Sequence, residues 1–186
     1  MSTNTLCFFP FVWDSLITEL EDSTIKYKMF KSEGKVKKLA TTPVKAIRCL
    51  DCSGYVQYVL YKTTYGNVKI PQGSWKQKKY FFDNAFVPVN YIENAGKRDN
   101  IVRIAFRDAK RGLNEKGEKV RLKAGHVWFI YNGMTHECTK IFGNNGPASI
   151  PWNKRISTNK KRQNTCFEIG QLSSFKSQLE SLNKTL

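Results

Sequence analysis

One stretch of this chain, residues 49–60, constrains the fold more than any other. From Cys52 onward the larger side chains recur at i, i+3, i+4, i+7 and i+8, namely Cys52, Tyr55, Val56, Val59 and Leu60. This spacing is typical of an α-helix with one face in the core. Asp51 immediately before it is a good N-cap, because its carboxylate can accept hydrogen bonds from the free amides of the first turn. The sequence therefore predicts a helix that begins at Cys52.

The position of Cys52 in the first turn of this helix has a chemical consequence. The helix dipole and the free N–H groups there favour a thiolate, the form in which cysteine acts as a nucleophile. The same N–H groups can hold the oxyanion of a tetrahedral intermediate. The alternative is a buried cysteine without a chemical role, since free cysteine is among the most buried residue types. A nucleophile also needs a general base elsewhere in the chain.

The remainder of the chain predicts an α+β fold. Upstream, residues 14–31 have a partial helical stripe, and residues 172–182 are spaced for a closing helix. Residues 70–77 read as a loop that leads into a short aromatic segment, and residues 110–123 as an exposed hairpin or loop. Strands are expected at 86–89 (on a sheet edge because of its proline), 101–106, 126–131, 134–139 and 166–169. Helices followed by an antiparallel sheet indicate α+β, and 186 residues suffice for one domain over 1–186.

Both histidines of the chain lie in one predicted hairpin, around Asn132-Gly133, which is a strong two-residue turn signal. With such a turn, cross-strand pairing puts His126, Trp128 and Glu137 on one face and His136 on the other. Glu137 is then the diagonal neighbour of His126, within reach of the imidazole. A three-residue loop would change the parity and offer His136 instead.

Several motifs carry a resemblance to a known family. The segment Asp51-Cys52-Ser53-Gly54-Tyr55-Val56-Gln57 resembles the nucleophile motif of the NlpC-type cell-wall cysteine peptidases, a papain-like family that cleaves bacterial peptidoglycan. Gly125-His126-Val127 is similar to the general-base motif of that family, and residues 132–137 to the hairpin that follows it. Residues 146–152 resemble a Gly-x-Pro-Trp-like segment of some relatives, including phage lysins. Residues 70–77 resemble the stretch that follows the cysteine helix in those relatives. The whole resemblance covers about residues 49–152.

The resemblance implies a papain-like NlpC-type fold in which the nucleophile helix packs on an antiparallel sheet. It implies Cys52 as nucleophile, His126 as base and Glu137 as the orienting residue, with His136 the rival for the third position. Asp51, Ser53 and Trp128 are the expected substrate-binding residues, and no cofactor or metal is expected. Two family features have no clear counterpart: a tyrosine upstream of the cysteine, and a Gly-Asp segment where residues 119–123 stand.

The chain has many more basic than acidic residues, and this excess indicates what kind of partner it binds. There are 31 Lys and Arg against 15 acidic residues, a net charge of +16, which implies a polyanionic partner or surrounding. A non-enzymatic nucleic-acid-binding module is one alternative, and its DNA or RNA retention would survive Cys52→Ala. The basic residues are dispersed in short clusters and no nucleic-acid motif is recognised. Anionic wall polymers or a membrane surface are the expected partners, with no specific nucleic acid.

The motifs and charge together predict a peptidoglycan hydrolase, a cysteine endopeptidase or amidase. An antibacterial secretion-system effector is preferred to a phage lysin, because neither a signal peptide nor a separate wall-binding module is recognised. Such a protein would be made in the cytoplasm, would act in the periplasm or cell wall of a target bacterium, and would have a cognate immunity protein. A papain-like deamidase or acyltransferase remains an alternative function, because the acyl group of a thioester intermediate can be transferred to water or to an amine.

Five cysteines, an odd number, leave at least one thiol free in a monomer. Cys49 and Cys52 form a C-x-x-C pair, for which a zinc site completed by Cys138 and His136 is an alternative. That spacing matches no standard zinc knuckle, so a structural role for Cys49 is preferred. A Cys49–Cys52 disulfide that silences the enzyme also stays open.

Overall fold

The computed structural model describes residues 6–29, 42–90, 92–157 and 164–172. The fold is α+β, with helices α1 (Pro10–Glu21), α2 (Cys52–Thr63), α3 (Ser74–Asp83) and α4 (Trp152–Ser157), and short 3-10 turns at Val44–Ala46 and Ile92–Gly96. The strands are β1 (Leu6–Phe8), β2 (Lys26–Tyr27), β3 (Cys49–Leu50), β4 (Val87–Pro88), β5 (Ile101–Arg107), β6 (Lys110–Leu113), β7 (Lys119–Lys123), β8 (His126–Tyr131), β9 (Met134–Thr139), β10 (Gly146–Pro151) and β11 (Asn164–Leu172).

The main sheet has the strand order β1-β11-β5-β8-β9-β10, and β4 pairs with β11 beside β1. All of its pairs are antiparallel except β1 with β11, which is parallel. Strands β2 and β3 form a separate parallel pair, and β6 and β7 form a separate antiparallel hairpin. The predicted antiparallel sheet and α+β class are thus confirmed.

Each face of the sheet is covered by its own apolar cluster. Helices α1 and α2 lie on one face, where the ring of Trp13 contacts Phe129 of β8 with ring centroids 5.2 Å apart. Trp128, Ile130 and Trp152 belong to a smaller cluster on the other face, where α4 and the Ile92–Gly96 turn pack. Because α2 also contacts α1, α3, β8 and β9, nearly all its side chains are buried.

Helix α2 begins at Cys52 as predicted, and Asp51 is its N-cap. The Asp51 carboxylate accepts hydrogen bonds from the Gly54 amide at 2.7 Å and from the Ser53 hydroxyl at 2.9 Å. The cap satisfies an amide that has no acceptor inside the helix. The N-terminus of α2 is therefore fixed by hydrogen bonds between residues that are close together in the sequence.

Two helix predictions are wrong in detail. The first helix spans Pro10–Glu21, not 14–31, because Pro10 occupies the first turn, where proline fits, and residues 26–27 form β2 instead. Residues 74–83 form α3 where a loop and an aromatic segment were predicted. The apolar periodicity of this segment is weak, because only Gln77 and Phe81, spaced i and i+4, are buried. The segment also contains several lysines.

The strand predictions agree more closely with the structure. The strand at 101–106, the exposed hairpin at 110–123 and the short strand at Val87–Pro88 are confirmed. The strand at 166–169 is longer than predicted, and it lies between β1 and β5 inside the sheet. Leu172 ends this strand, so the predicted closing helix does not include it, and residues 173–182 lie outside the described residues. Within the described ranges, no helix is long and apolar enough to cross a membrane.

Candidate active site

The hairpin of β8 and β9 has the predicted two-residue turn. Asn132 and Gly133 both have positive φ, 48° and 77°, as the tight turn requires. The register pairs Tyr131 with Met134 and Phe129 with His136. Because side chains alternate between the two faces of a strand, this register places His136 on the opposite face of the hairpin from Trp128 and Glu137.

His126 and Glu137 are hydrogen-bonded to each other, with 2.5 Å between Nε2 of the ring and Oε2 of the carboxylate. The predicted adjacency of these two residues is confirmed. Both side chains are buried, so little water competes for this bond. Because Glu137 holds Nε2, the ring nitrogen left for a further partner is Nδ1.

Cys52 also interacts with His126, and its side chain is the main partner that raises the pKa of the imidazole. Burial alone would lower the pKa of His126, but the charge and hydrogen bond of Cys52, together with Glu137, raise it to about 9. The imidazole is therefore protonated at neutral pH and lies between two acidic groups. The order thiol, imidazole and carboxylate is the one that nucleophilic catalysis by cysteine requires.

Arg155, on α4, also binds the Glu137 carboxylate. Its guanidinium donates to Glu137 Oε1 from Nε at 2.7 Å and to Oε2 from a terminal nitrogen at 3.3 Å, and the Thr135 hydroxyl donates to Oε1 at 3.0 Å. Burial by itself would raise the pKa of Glu137, but His126 and Arg155 lower it to about 2. The carboxylate thus stays ionised although its side chain has no exposed surface.

The structure corrects the predicted role of Trp128. Its side chain is fully buried, so it cannot contact a substrate. Its ring instead stacks against the His126 ring, with centroids 5.6 Å apart, and the Arg155 guanidinium lies 4.5 Å from its centroid. Trp128 therefore fixes the plane of the imidazole from inside the protein.

Sequence reasoning missed Arg155, because a basic residue in a polar stretch carries no local sign of burial. The resemblance of residues 146–152 to a Pro-Trp segment was the nearest signal, since Trp152 begins α4. The apolar ring of Trp152 packs in the smaller cluster, with Trp128 and Ile130, and thereby positions this short helix. Only the packing of α4 brings Arg155 to Glu137.

His136, the rival for the third position, belongs to a different cluster. Its Nδ1 lies 2.7 Å from the Ser149 hydroxyl, and its ring packs edge-on against Trp13. The Ser149 hydroxyl donates in turn to Glu21. The Glu21 carboxylate also lies 3.8 Å from Nδ1 of His136, so this histidine has its own carboxylate partner apart from Glu137. His136 does not contact His126, and its cluster joins α1 to the sheet.

A cleft of about 430 Å³ lies in front of Cys52. Asp51 and Ser53, two of the predicted substrate-binding residues, line it beside the thiol. Trp75, at the start of α3, also lines it, and its side chain is largely exposed. The cleft offers a substrate both polar groups and an aromatic surface next to Cys52.

Tyr27 lines the same cleft and was not identified from the sequence. Strand β2 pairs with β3 so that Tyr27 is opposite Leu50, two residues before Cys52. Burial raises the pKa of Tyr27, and the acidic groups of Cys52 and Asp51 raise it further. The phenol therefore keeps its proton and is available as a donor at the cleft. Tyr27 thus reaches the cleft from upstream of Cys52 through the pairing of β2 with β3.

The zinc alternative is not supported by the geometry. Within the ranges that the structure describes, no three His, Cys, Asp or Glu side chains come together as metal ligands. Cys49, Cys52, Cys138 and Cys166 are free thiols. The thiol of Cys138 donates to the Leu50 carbonyl at 3.4 Å, and burial raises its pKa above the usual range. Cys138 is therefore a packed core thiol.

Comparison of the sequence with profiles of known protein families, and with curated proteins, finds no match. The chemistry of the site therefore rests on its own geometry and on the motifs that it contains.

Proposed function

We propose that this protein is a cysteine hydrolase of the papain-like NlpC type that cleaves peptide or amide bonds of bacterial peptidoglycan. One observation carries the proposal: the β8–β9 hairpin holds the His126 ring between the Cys52 thiol and the buried Glu137 carboxylate. The motif resemblance over residues 49–152 supports the family and the substrate. The net charge of +16 supports an anionic polymer as the surrounding in which it works.

In the proposed mechanism His126 carries the proton that Cys52 gives up, and the Cys52 thiolate attacks the carbonyl carbon. A C–S bond forms, and the oxygen becomes an oxyanion at the N-terminus of α2. The Asp51 side chain and carbonyl accept from the amides of Gly54 and Tyr55. The amide of Cys52 has no acceptor inside the helix, because it lies at the first helical position. This amide is therefore the proposed oxyanion donor.

The oxyanion then collapses, the C–N bond breaks, and the His126 imidazolium gives its proton to the leaving amine. A water molecule, deprotonated by His126, attacks the thioester carbon and releases a carboxylate product and the thiol. Glu137 accepts the hydrogen bond from Nε2 throughout. It keeps the ring oriented and stabilises its charged form.

The direct test is digestion of purified peptidoglycan, followed by mass analysis of the fragments. Cys52→Ala and His126→Ala should each lower turnover by about 10⁴- to 10⁶-fold, because the site residues act as a unit. Cys166→Ala, which removes a buried thiol on the other face of the sheet, should retain activity. Wild-type rates from folded Cys52→Ala protein would refute the mechanism. Release of ammonia, or transfer to an added amine, would assign a deamidase or acyltransferase instead.

An antibacterial role, with a cognate inhibitor protein that covers the Cys52 cleft, is part of the proposal. Expression in bacteria with and without a periplasmic export signal tests it, because the substrate lies outside the cytoplasm. Lysis is expected only on export, and Cys52→Ala should abolish it. Equal toxicity from the cytoplasm would point to an intracellular target.

A further inference from the structure

We infer that the cleft in front of Cys52 binds a carboxylate of the substrate peptide between Arg111 and Arg121 of the β6–β7 hairpin. The inference rests on the proposed function and adds a specificity to it. A carboxylate-bearing peptide would be cleaved in preference to the same peptide with its carboxylates amidated.

The first observation is the charge of the cleft wall. Four basic residues line the cleft with Cys52, namely Lys76, Arg107, Arg111 and Arg121. Two acidic residues also line it, and both have intramolecular roles: Asp51 caps α2, and Asp108 is paired with Lys78 at 2.8 Å. The wall therefore presents a cationic surface to a ligand.

The second observation is the pairing of Arg111 with Arg121. They are direct cross-strand partners in the β6–β7 register, so their side chains leave the same face of the hairpin. Both arginines are exposed and both line the cleft, so an anion in the cleft can contact the two guanidinium groups together. The hairpin is separate from the main sheet, so this pair is not needed to hold the sheet together.

The third observation connects the basic wall to the nucleophile. Burial, Cys52 and Asp51 raise the pKa of Tyr27, whereas the charge of Arg107 acts on it in the opposite direction. Arg107 and the arginine pair of the hairpin line the same cleft as Tyr27 and Cys52. An anion bound by the arginines would be attached to the same substrate chain as the acyl group that Cys52 attacks.

A carboxylate fits this wall better than other anions. Guanidinium groups bind planar carboxylates through two parallel hydrogen bonds, a geometry that lysine cannot provide. The cleft volume of about 430 Å³ accommodates a short peptide segment. A nucleic acid would instead need an extended basic track along its phosphates.

The experiment uses soluble peptides released from peptidoglycan, one portion left native and one amidated chemically at its carboxylates. The wild-type protein should cleave the native peptides with a kcat/KM about 10- to 100-fold higher, the range for hydrogen bonds to a charged group, and the difference should lie in KM. Arg111→Gln with Arg121→Gln should bring the two substrates to similar values. Lys110→Gln with Lys123→Gln is the matched control. It neutralises a cross-strand pair of the same hairpin that does not line the cleft, and should retain the preference.

Binding of the same peptides to Cys52→Ala protein by calorimetry separates this inference from the proposed function. If the wild type cleaves neither peptide but Cys52→Ala protein prefers the native one, the cleft assignment holds and the proposed function fails. Equal cleavage and equal binding of the two peptides would overturn the inference alone. Equal losses from the arginine and lysine pairs, or tighter binding of a mixed-sequence oligonucleotide that needs both arginines, would overturn it as well.

Discussion

At the scale of single residues, the parity of one hairpin decides which side chain supports His126. Glu137→Gln removes the negative charge next to the imidazole, so we expect a loss of activity of at least about 10²-fold. His136→Ala should cost less activity, because His136 contacts Ser149 and Trp13 instead. Activity measured below the melting temperature of each variant is the readout. A greater loss from His136→Ala in folded protein would contradict the assignment.

Glu137→Gln also leaves the Arg155 guanidinium buried without its carboxylate, which costs on the order of 3–5 kcal/mol of folding free energy. The double variant Glu137→Gln with Arg155→Met removes both buried charges. We expect it to regain much of the lost stability in chemical denaturation, but not the activity. Recovery of activity in the double variant would show that Glu137 acts only through folding.

The pH dependence follows from His126, whose folded pKa of about 9 lies above the ordinary value of 6.5. Because the folded pKa is raised, the stabilisation from the charged ring is complete below 6.5 and is lost as pH rises through about 9. The rate constant kcat/KM should fall over the same alkaline range, as the proton donor for the leaving group is lost. Cys52→Ala should lower the His126 pKa measured by NMR, since Cys52 is one cause of the increase. An unchanged pKa in that variant would show that the two side chains do not interact.

At the scale of elements, α4 is placed by the packing of Trp152 on the Ile92–Gly96 turn. A Cβ at Gly96 would overlap the Trp152 ring, so Gly96→Ala must displace that ring or the turn. Overpacking of this kind costs about 1–3 kcal/mol. Because Arg155 lies one helical turn after Trp152, activity should fall as well as thermal stability.

Gly143→Ala is the control for that variant. Gly143 has a positive φ of 84° and nothing within 4 Å of an added Cβ, so alanine there strains only the local backbone. We expect a lower melting temperature with activity retained. If Gly96→Ala is destabilised to the same extent but fully active, the position of α4 does not control the site.

At the scale of the whole molecule, the net charge of +16 should hold the protein on anionic wall polymers. The fraction of Cys52→Ala protein that sediments with intact peptidoglycan should fall as salt is added, because screening shortens the reach of charges from about 10 Å at 0.1 M to about 3 Å at 1 M. Sucrose at matched osmolarity should leave it unchanged. If the sedimenting fraction does not change with salt, binding to peptidoglycan is due to the cleft and not to the overall charge.

The sequence alone was sufficient for the features that depend on neighbours along the chain. The spacing of apolar residues and an adjacent aspartate specify helix α2 and its cap, and Asn132-Gly133 specifies the turn whose parity puts Glu137 beside His126. These are short-range effects of periodicity and backbone conformation, so they can be read locally. Helix α3 was missed because its buried face has few residues.

Only the tertiary structure decided the parts of the site that come from distant segments. Tyr27 reaches the cleft through the pairing of β2 with β3, and Arg155 reaches Glu137 through the seating of α4 by Trp152. Trp128 has the pattern of an ordinary strand residue, yet packing encloses it between His126 and Arg155. Burial of a charge or a ring depends on which surfaces meet in the folded chain, and no local pattern contains that information.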